Sequence, residues 1–169
     1  LDPVGSVLVP GILALGAAAV PGAPAFLFGW ARPVPYNPYN FTDQKYGEAK
    51  VAAAGPAANL LIAVVFGALL QSSATLGLPP EFVGIAYQVI AINVLLMIFN
   101  LFPIPPLDGS KILPAFLPFE LRMKYQNLRN TLEYNPGMAF LVLFLLIIFV
   151  LQAPLIYLTT LLTDLLAGF

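Results

Sequence analysis

The chain has 169 residues, of which 60% are hydrophobic and only 9% charged. Soluble domains carry about 25% charged residues, and a soluble fold of this size could not hide so much apolar surface from water. The net charge of −1 and the absence of cysteine from the sequence give no indication of nucleic-acid binding and exclude disulfides and thiolate metal sites. We therefore expect an integral membrane protein whose surroundings are the lipid bilayer.

The first three apolar stretches differ in regularity. The stretch over residues 4–28 is long enough to span a membrane, but prolines and glycines interrupt it. These interruptions predict a broken helix or a re-entrant segment. Residues 49–70 and 82–102 each have roughly the 20 residues that a ~30 Å hydrocarbon core requires. These two stretches predict spanning helices, joined by a short turn over residues 71–81.

The fourth apolar stretch runs from about Met138 to Ala153, directly before Pro154. Proline removes a helical hydrogen bond and clashes with the preceding turn. Pro154 therefore either kinks this helix or separates it from an interfacial helix over residues 155–166. Asp164 has no assignable role, and an interfacial position is its default interpretation.

Together the stretches predict an all-α, polytopic transmembrane helical bundle in a single domain over residues 1–169. It would have about three to four membrane segments, one of them broken or re-entrant. A short extended edge is expected near residues 28–36, because each proline there favours extended backbone at the residue before it. The connection over 109–135 includes Glu120–Tyr125, which predicts a surface helix.

The basic residues predict the orientation of the bundle. All seven lysines and arginines fall in two connections, and the turn over residues 71–81 has none. If the second and third stretches form an antiparallel hairpin, both connections lie on one side of the membrane. The positive-inside rule makes that side cytoplasmic, so residues 30–50 and 109–135 are expected to be cytoplasmic loops of a multi-pass cell-membrane protein.

Three asparagines lie within the apolar stretches. Asn59 follows the small residues Gly55-Pro56-Ala57-Ala58 near the middle of the second stretch, where small side chains allow a neighbouring helix to approach closely. Asn59, Asn93 and Asn100 are each open to a structural interpretation, in which the amide bonds across helices. Asn100 differs because a proline-rich break begins just after it.

That break contains the most unusual polar residue of the chain. Prolines at 103, 105 and 106 forbid regular helix, and Asp108-Gly109 follows directly. A carboxylate so close to lipid is costly and indicates a functional site. The alternative is an ordinary interfacial loop in which Asp108 caps the next helix. The residues alone leave both interpretations open.

Three segments in order resemble the site-2 protease family of intramembrane zinc metalloproteases, of the compact bacterial and archaeal type. The matching segments are FGWARPVP over residues 28–35 with the asparagines that follow, AGPAANL over 54–60, and FNLFPIPPLDG over 99–109. The resemblance covers about residues 1–115. It implies zinc as cofactor, peptide-bond hydrolysis as reaction and a transmembrane protein as substrate.

The family's functional residues can be carried onto matching positions. The resemblance implies that Asp108 is a zinc ligand and that Asn59 contacts the substrate or polarises its carbonyl. It also implies an edge on which an unwound substrate adds as a β-strand. Asn100 and six residues of the extended edge are the expected substrate contacts, the latter being Phe28, Gly29, Trp30, Ala31, Arg32 and Pro33.

The chain departs from the family in one respect, because it contains no histidine. The family's His-Glu-x-x-His helix supplies two further zinc ligands and a glutamate base. We expect this helix upstream of Leu1, in a longer protease of which this chain is the C-terminal portion, so that the chain would be inactive alone. The alternative is a non-catalytic membrane binding or scaffold relative. A transporter with a discontinuous helix would show inverted repeats, and we find none.

Overall fold

The computed structural model describes Asp43 and residues 46–168. The first apolar stretch over residues 4–28 and the extended edge over 28–36 lie outside the described residues. Within the described part, three helices are long and apolar enough to span a membrane: Gly47–Gln71, Pro80–Asn100 and Gly137–Ala167. The prediction of an all-α transmembrane bundle is confirmed.

Seven α-helices are described, and the predicted spans fall on the long ones. In chain order they are α1 (Gly47–Gln71), α2 (Ser73–Leu76), α3 (Pro80–Asn100), α4 (Gly109–Ile112), α5 (Phe119–Tyr134), α6 (Pro136–Leu146) and α7 (Gln152–Ala167). A 3-10 turn over Leu113–Ala115 follows α4. Pro80 and Pro136 each stand in the first turn of their helix, where the missing N–H has no helical partner to lose.

The core lies between α1, α3 and α7. Its fully enclosed side chains include Ala63 of α1 and Ile90 and Val94 of α3, with Ala167 of α7 buried beside them. Small residues on α1 allow close packing: a Cβ atom on Gly67 would lie 2.6 Å from the carbonyl oxygen of Leu166. The C-terminal ends of α1 and α7 therefore meet at the same end of the bundle.

Two hydrogen bonds join the helices at that same end. The Gln71 side-chain amide donates a hydrogen bond of 2.8 Å to the Leu166 carbonyl. The Tyr87 hydroxyl of α3 donates one of 2.8 Å to Asp164. Asp164 thus has a structural partner that its default interfacial interpretation did not include. Because α3 begins where α1 and α7 end, α1 and α3 form the expected antiparallel hairpin.

The outside of the bundle is apolar. Only 22%, 17% and 17% of the most apolar windows of the three spans are buried. Helices of soluble proteins instead place one apolar stripe inward and polar residues outward. Large apolar side chains on the outside are the arrangement that a lipid environment favours.

The fourth apolar stretch continues through Pro154. A π-helical turn over Ile147–Leu151 joins α6 to α7, and Gly137–Ala167 counts as one helix of 31 residues. The wider turn ends at Leu151, three residues before Pro154. It includes the carbonyl four residues before the proline, with which the ring would clash in a regular helix. Of the two alternatives for Pro154, the structure has a locally widened helix and not a separate interfacial helix.

The surface helix predicted at 120–125 is confirmed and extends further, as α5. Arg129 of α5 is 14% exposed and lies 2.7 Å from Glu48, in the first turn of α1, and 2.7 Å from Glu133. Burial alone would lower the pKa of Arg129, but the hydrogen bonds that Arg129 donates to both carboxylates, and their negative charges, raise it above its ordinary value. The ion pair places the basic connection after α4 beside the start of α1.

Candidate metal site

The break between α3 and α4 is a compact, hydrogen-bonded loop. The Leu107 N–H donates to the Ile104 carbonyl at 2.9 Å, and the Ile104 N–H donates to the Phe102 carbonyl at 2.9 Å. Gly109 then packs against the start of the loop, where a Cβ atom would collide with the Leu101 carbonyl. The loop folds back on itself, so Asp108 is presented next to the end of α3.

The Asp108 carboxylate is directed at α1. A Cβ atom on Gly55 would lie 3.2 Å from Asp108 Oδ2. Asp108 occupies the N-cap position of α4, but its side chain makes no capping hydrogen bond. Nor does that carboxylate form an ion pair with any residue in the described part of the chain. The capping interpretation therefore does not hold, and a half-buried carboxylate is left available to a ligand.

Asn59 lies on the same side of α1 as the Asp108 carboxylate. It follows Gly55 by four residues within α1, and residues at this spacing share one face of a helix. Asn59 is half-buried, whereas Ala54, Gly55 and Ala58 beside it are exposed. Asn59 and Gly55, against which Asp108 lies, therefore share one face of α1, on a strip of small residues that the described helices leave open.

The other asparagines have different surroundings. Asn100 is the last residue of α3 and half-buried at the start of the break. The Asn93 side-chain amide donates a hydrogen bond of 2.8 Å to the Val89 carbonyl of its own helix. This bond is local and is not the expected bond across helices. The six predicted substrate contacts over residues 28–33 lie outside the described residues.

Tyr125 of α5, which the sequence did not single out, contacts the backbone on both sides of Asp108. Its hydroxyl lies 2.9 Å from the Pro103 carbonyl and 3.2 Å from the Ser110 carbonyl. Burial is the largest effect on the pKa of Tyr125 and raises it; the charge of Arg129 lowers the pKa, and that of Glu133 raises it by a smaller amount. Because the net effect raises the pKa, the phenol is a hydrogen-bond donor at neutral pH. The one available signal was Pro114, which has no N–H to offer to the Ser110 carbonyl four residues earlier.

The side chains near the break fit part of a zinc site. A carboxylate without a hydrogen-bonding partner, held against backbone at Gly55, is a suitable hard donor. Among the described residues, however, no group of three histidine, cysteine, aspartate or glutamate side chains could hold a metal ion. The described residues therefore offer one candidate ligand, the Asp108 carboxylate, and not a complete metal site.

Comparison with known proteins points to the same chemistry. The profile of Peptidase family M50 matches residues 74–146, which include the break and Asp108. Putative zinc metalloprotease YwhC of Bacillus subtilis is 34% identical over 134 residues, covering 73% of this chain and 53% of that protein. Putative zinc metalloprotease Rip3 of Mycobacterium tuberculosis is 38% identical over 78 residues, covering 42% of this chain and 20% of that protein.

The three apolar helices indicate a membrane protein, and the profile match relates it to the metallopeptidases. The chain belongs to the site-2 protease family, Peptidase family M50. It spans about half the length of YwhC and a fifth of Rip3. No solved structure matches it.

Proposed function

We propose that this chain is the substrate- and metal-binding portion of an intramembrane zinc metalloprotease, which hydrolyses peptide bonds of transmembrane protein substrates. The observation that carries the proposal is the Asp108 carboxylate, which has no capping bond and lies against Gly55 of α1. Such a group near lipid is costly, and a metal ion would compensate that cost.

In this proposal Asp108 is one zinc ligand and Asn59 contacts the substrate carbonyl. The remaining ligands and the glutamate base would come from a His-Glu-x-x-His helix upstream of Leu1, because this sequence has no histidine. The exposed small residues around Gly55 are a surface onto which such a helix could pack closely. When bound, zinc supplies Lewis-acid chemistry that activates water and polarises a peptide carbonyl.

The chain's own residues would orient the reacting groups. The loop carrying Asp108 fixes where the metal is held, and the amide of Asn59 offers hydrogen-bond donors on the same side of α1. Residues 28–33 would bind the unwound substrate by backbone pairing, and Asn100 would be a further substrate contact. The connections rich in lysine and arginine, 30–50 and 109–135, would face the cytoplasm.

Asp108→Ala in the protein extended upstream tests the proposal. We expect loss of at least tenfold in zinc affinity and of nearly all cleavage of a model transmembrane substrate, because a ligand is removed. Asp164→Asn is the matched control: it changes a carboxylate at the opposite end of the bundle, so zinc affinity should stay as in the wild type. An Asp108→Ala protein with wild-type zinc affinity and cleavage would refute the assignment.

A non-catalytic scaffold is the second candidate, favoured by the lack of histidine in this sequence. The two functions differ in what the extended protein does. A scaffold would bind a transmembrane segment but neither retain zinc nor cut the segment, whereas the protease would do both. Metal analysis of the purified extended protein is the first measurement that separates them.

A further inference from the structure

The Tyr125 hydroxyl contacts two carbonyl groups that flank Asp108 in sequence. The Pro103 carbonyl, at 2.9 Å, belongs to the break before Asp108, and the Ser110 carbonyl, at 3.2 Å, belongs to α4 after it. In a regular helix the Ser110 carbonyl would accept from the N–H four residues later. That residue is Pro114, which has none. Tyr125 therefore supplies a donor that the sequence around the break cannot supply.

The helix that carries Tyr125 is itself fixed to α1. Arg129 follows Tyr125 by one turn of α5 and lies 2.7 Å from Glu48 at the start of α1. The Arg129 side chain is only 14% exposed, so this charged contact is largely shielded from solvent. Glu48, Arg129 and Tyr125 form a continuous connection from α1 to the loop that bears Asp108.

We propose that Tyr125 is a positioning residue, whose hydroxyl holds the Asp108 loop in register with the Gly55–Asn59 turn of α1. The inference rests on the proposed function, since it takes Asp108 as a zinc ligand. Tyr125 touches no reacting group. It acts by fixing the backbone on both sides of Asp108, so that the carboxylate stays directed at Gly55 when no metal is bound.

The test is Tyr125→Phe in the full-length protein, with Tyr134→Phe as matched control. Tyr134 lies on the same helix and is 89% exposed, so its hydroxyl supports nothing at the break. We expect Tyr125→Phe to weaken zinc binding about tenfold, the lower end of the effect of removing a group that orients a metal ligand. Competition with a chelator measures this affinity, and Tyr134→Phe should match the wild type.

A second readout does not depend on metal or activity. The amides of Leu107 and Lys111 donate to Ile104 and Asp108 within the break. In the metal-free protein, Tyr125→Phe should make these amides exchange hydrogen faster, while the amides of α1 and α3 keep their protection. Uniformly faster exchange along the chain would mean a general loss of stability and would overturn the proposal.

A double-mutant cycle tests whether Tyr125 acts on zinc affinity through Asp108. In an Asp108→Ala background, Tyr125→Phe should no longer change zinc affinity, because the ligand that it positions is absent. An undiminished effect in that background would overturn the positioning role. If Asp108→Ala alone leaves zinc affinity unchanged, the proposed function fails, while the exchange measurement still decides whether Tyr125 orders the loop.

Glu48→Gln provides a variant that keeps the hydroxyl and the shape of every side chain. It removes the negative charge that Glu48 presents to Arg129 of α5. We expect a smaller rise in exchange at the same amides of the break, and this result is available even if Tyr125→Phe does not fold. No rise at Leu107 and Lys111 in Glu48→Gln would overturn the proposed connection through α5.

Discussion

At the residue scale, the Asp108 carboxylate lies against Gly55 in the candidate site. A glycine at position 55 leaves room for a carboxylate oxygen at 3.2 Å from the missing Cβ. A Cβ atom at this position would be tighter than most real contacts, so the carboxylate would have to move by a few tenths of an ångström. The identity of residue 55 therefore controls where a metal bound to Asp108 could lie.

Gly55→Ala tests that control. The added methyl group should push the Asp108 carboxylate by a few tenths of an ångström and weaken zinc binding about tenfold. The free energy of unfolding should not fall, because alanine favours a helix interior over glycine by roughly 0.5–1 kcal/mol. Chelator competition and thermal unfolding of the extended protein measure the two quantities.

Gly84→Ala is the control for Gly55→Ala. A Cβ atom on Gly84 would meet nothing within 4 Å, so this variant should gain similar helix stability with unchanged zinc affinity. Equal affinities in both variants would show that the Gly55 contact does not constrain the ligand.

Polar groups in apolar surroundings are costly, which made Asp108 and Asn59 candidates from the sequence. The residues alone left a structural interpretation open for each, and only the family resemblance implied their roles. The sequence was not sufficient to select Tyr125. An amphipathic helix predicts which face of α5 is buried, but not that one hydroxyl reaches back to Pro103 and Ser110. Likewise, the capping and metal-binding interpretations of Asp108 differ only in side-chain direction, which the sequence does not specify.

At the element scale, the crossing of α1 and α7 depends on Gly67. The distance of 2.6 Å from a Cβ atom there to the Leu166 carbonyl is too short for any real contact. Backbone atoms of α7 cannot move aside as a flexible side chain can. The two helices would have to separate to accept a larger residue.

Gly67→Ala should therefore lower the free energy of unfolding by about 1–3 kcal/mol, as overpacking of a close contact does. Gly137→Ala is the matched control, since a Cβ atom there would meet nothing within 4 Å. Unfolding in detergent measures both variants. A Gly67→Ala protein as stable as Gly137→Ala would contradict the close crossing.

Span lengths and hydropathy predicted α1 and α3 well, because about 20 apolar residues in succession have one stable form in lipid. The outcome at Pro154 was not predictable. Whether a proline ends a helix or is accommodated depends on whether the preceding turn can widen, as Ile147–Leu151 does. That choice depends on packing against other helices and not on local sequence.

At the scale of the whole molecule, the ends of the bundle differ in character. The ends of α1 and α7 and the start of α3 are joined by contacts at Gly67, Gln71 and Asp164. The opposite end holds the ion pair of Arg129 with Glu48 and the Asp108 loop. The antiparallel hairpin assumed for the second and third stretches predicted that both basic connections share one end, but not the contacts that maintain either end.

Cysteine labelling tests which end faces the cytoplasm. The chain has no cysteine of its own, so Ala74→Cys and Asn127→Cys, both at exposed positions, would be its only thiols. A membrane-impermeant maleimide should label Ala74→Cys in intact cells and Asn127→Cys only after permeabilisation. The reverse pattern would place residues 109–135 outside the cell and contradict the positive-inside assignment.

The continuous helix from Gly137 to Ala167 has a consequence for the bilayer itself. Its 31 residues extend about 46 Å at the usual rise, whereas an average hydrocarbon core measures ~30 Å. Such an excess is relieved by tilting or by local thickening of the lipid. Because α7 is fastened to α1 and α3 near Leu166 and Asp164, a change in tilt would be felt mainly at the end where α5 and the Asp108 loop lie. The tilt of this helix, and with it the position of the end that carries the Asp108 loop, should therefore depend on the acyl-chain length of the lipid.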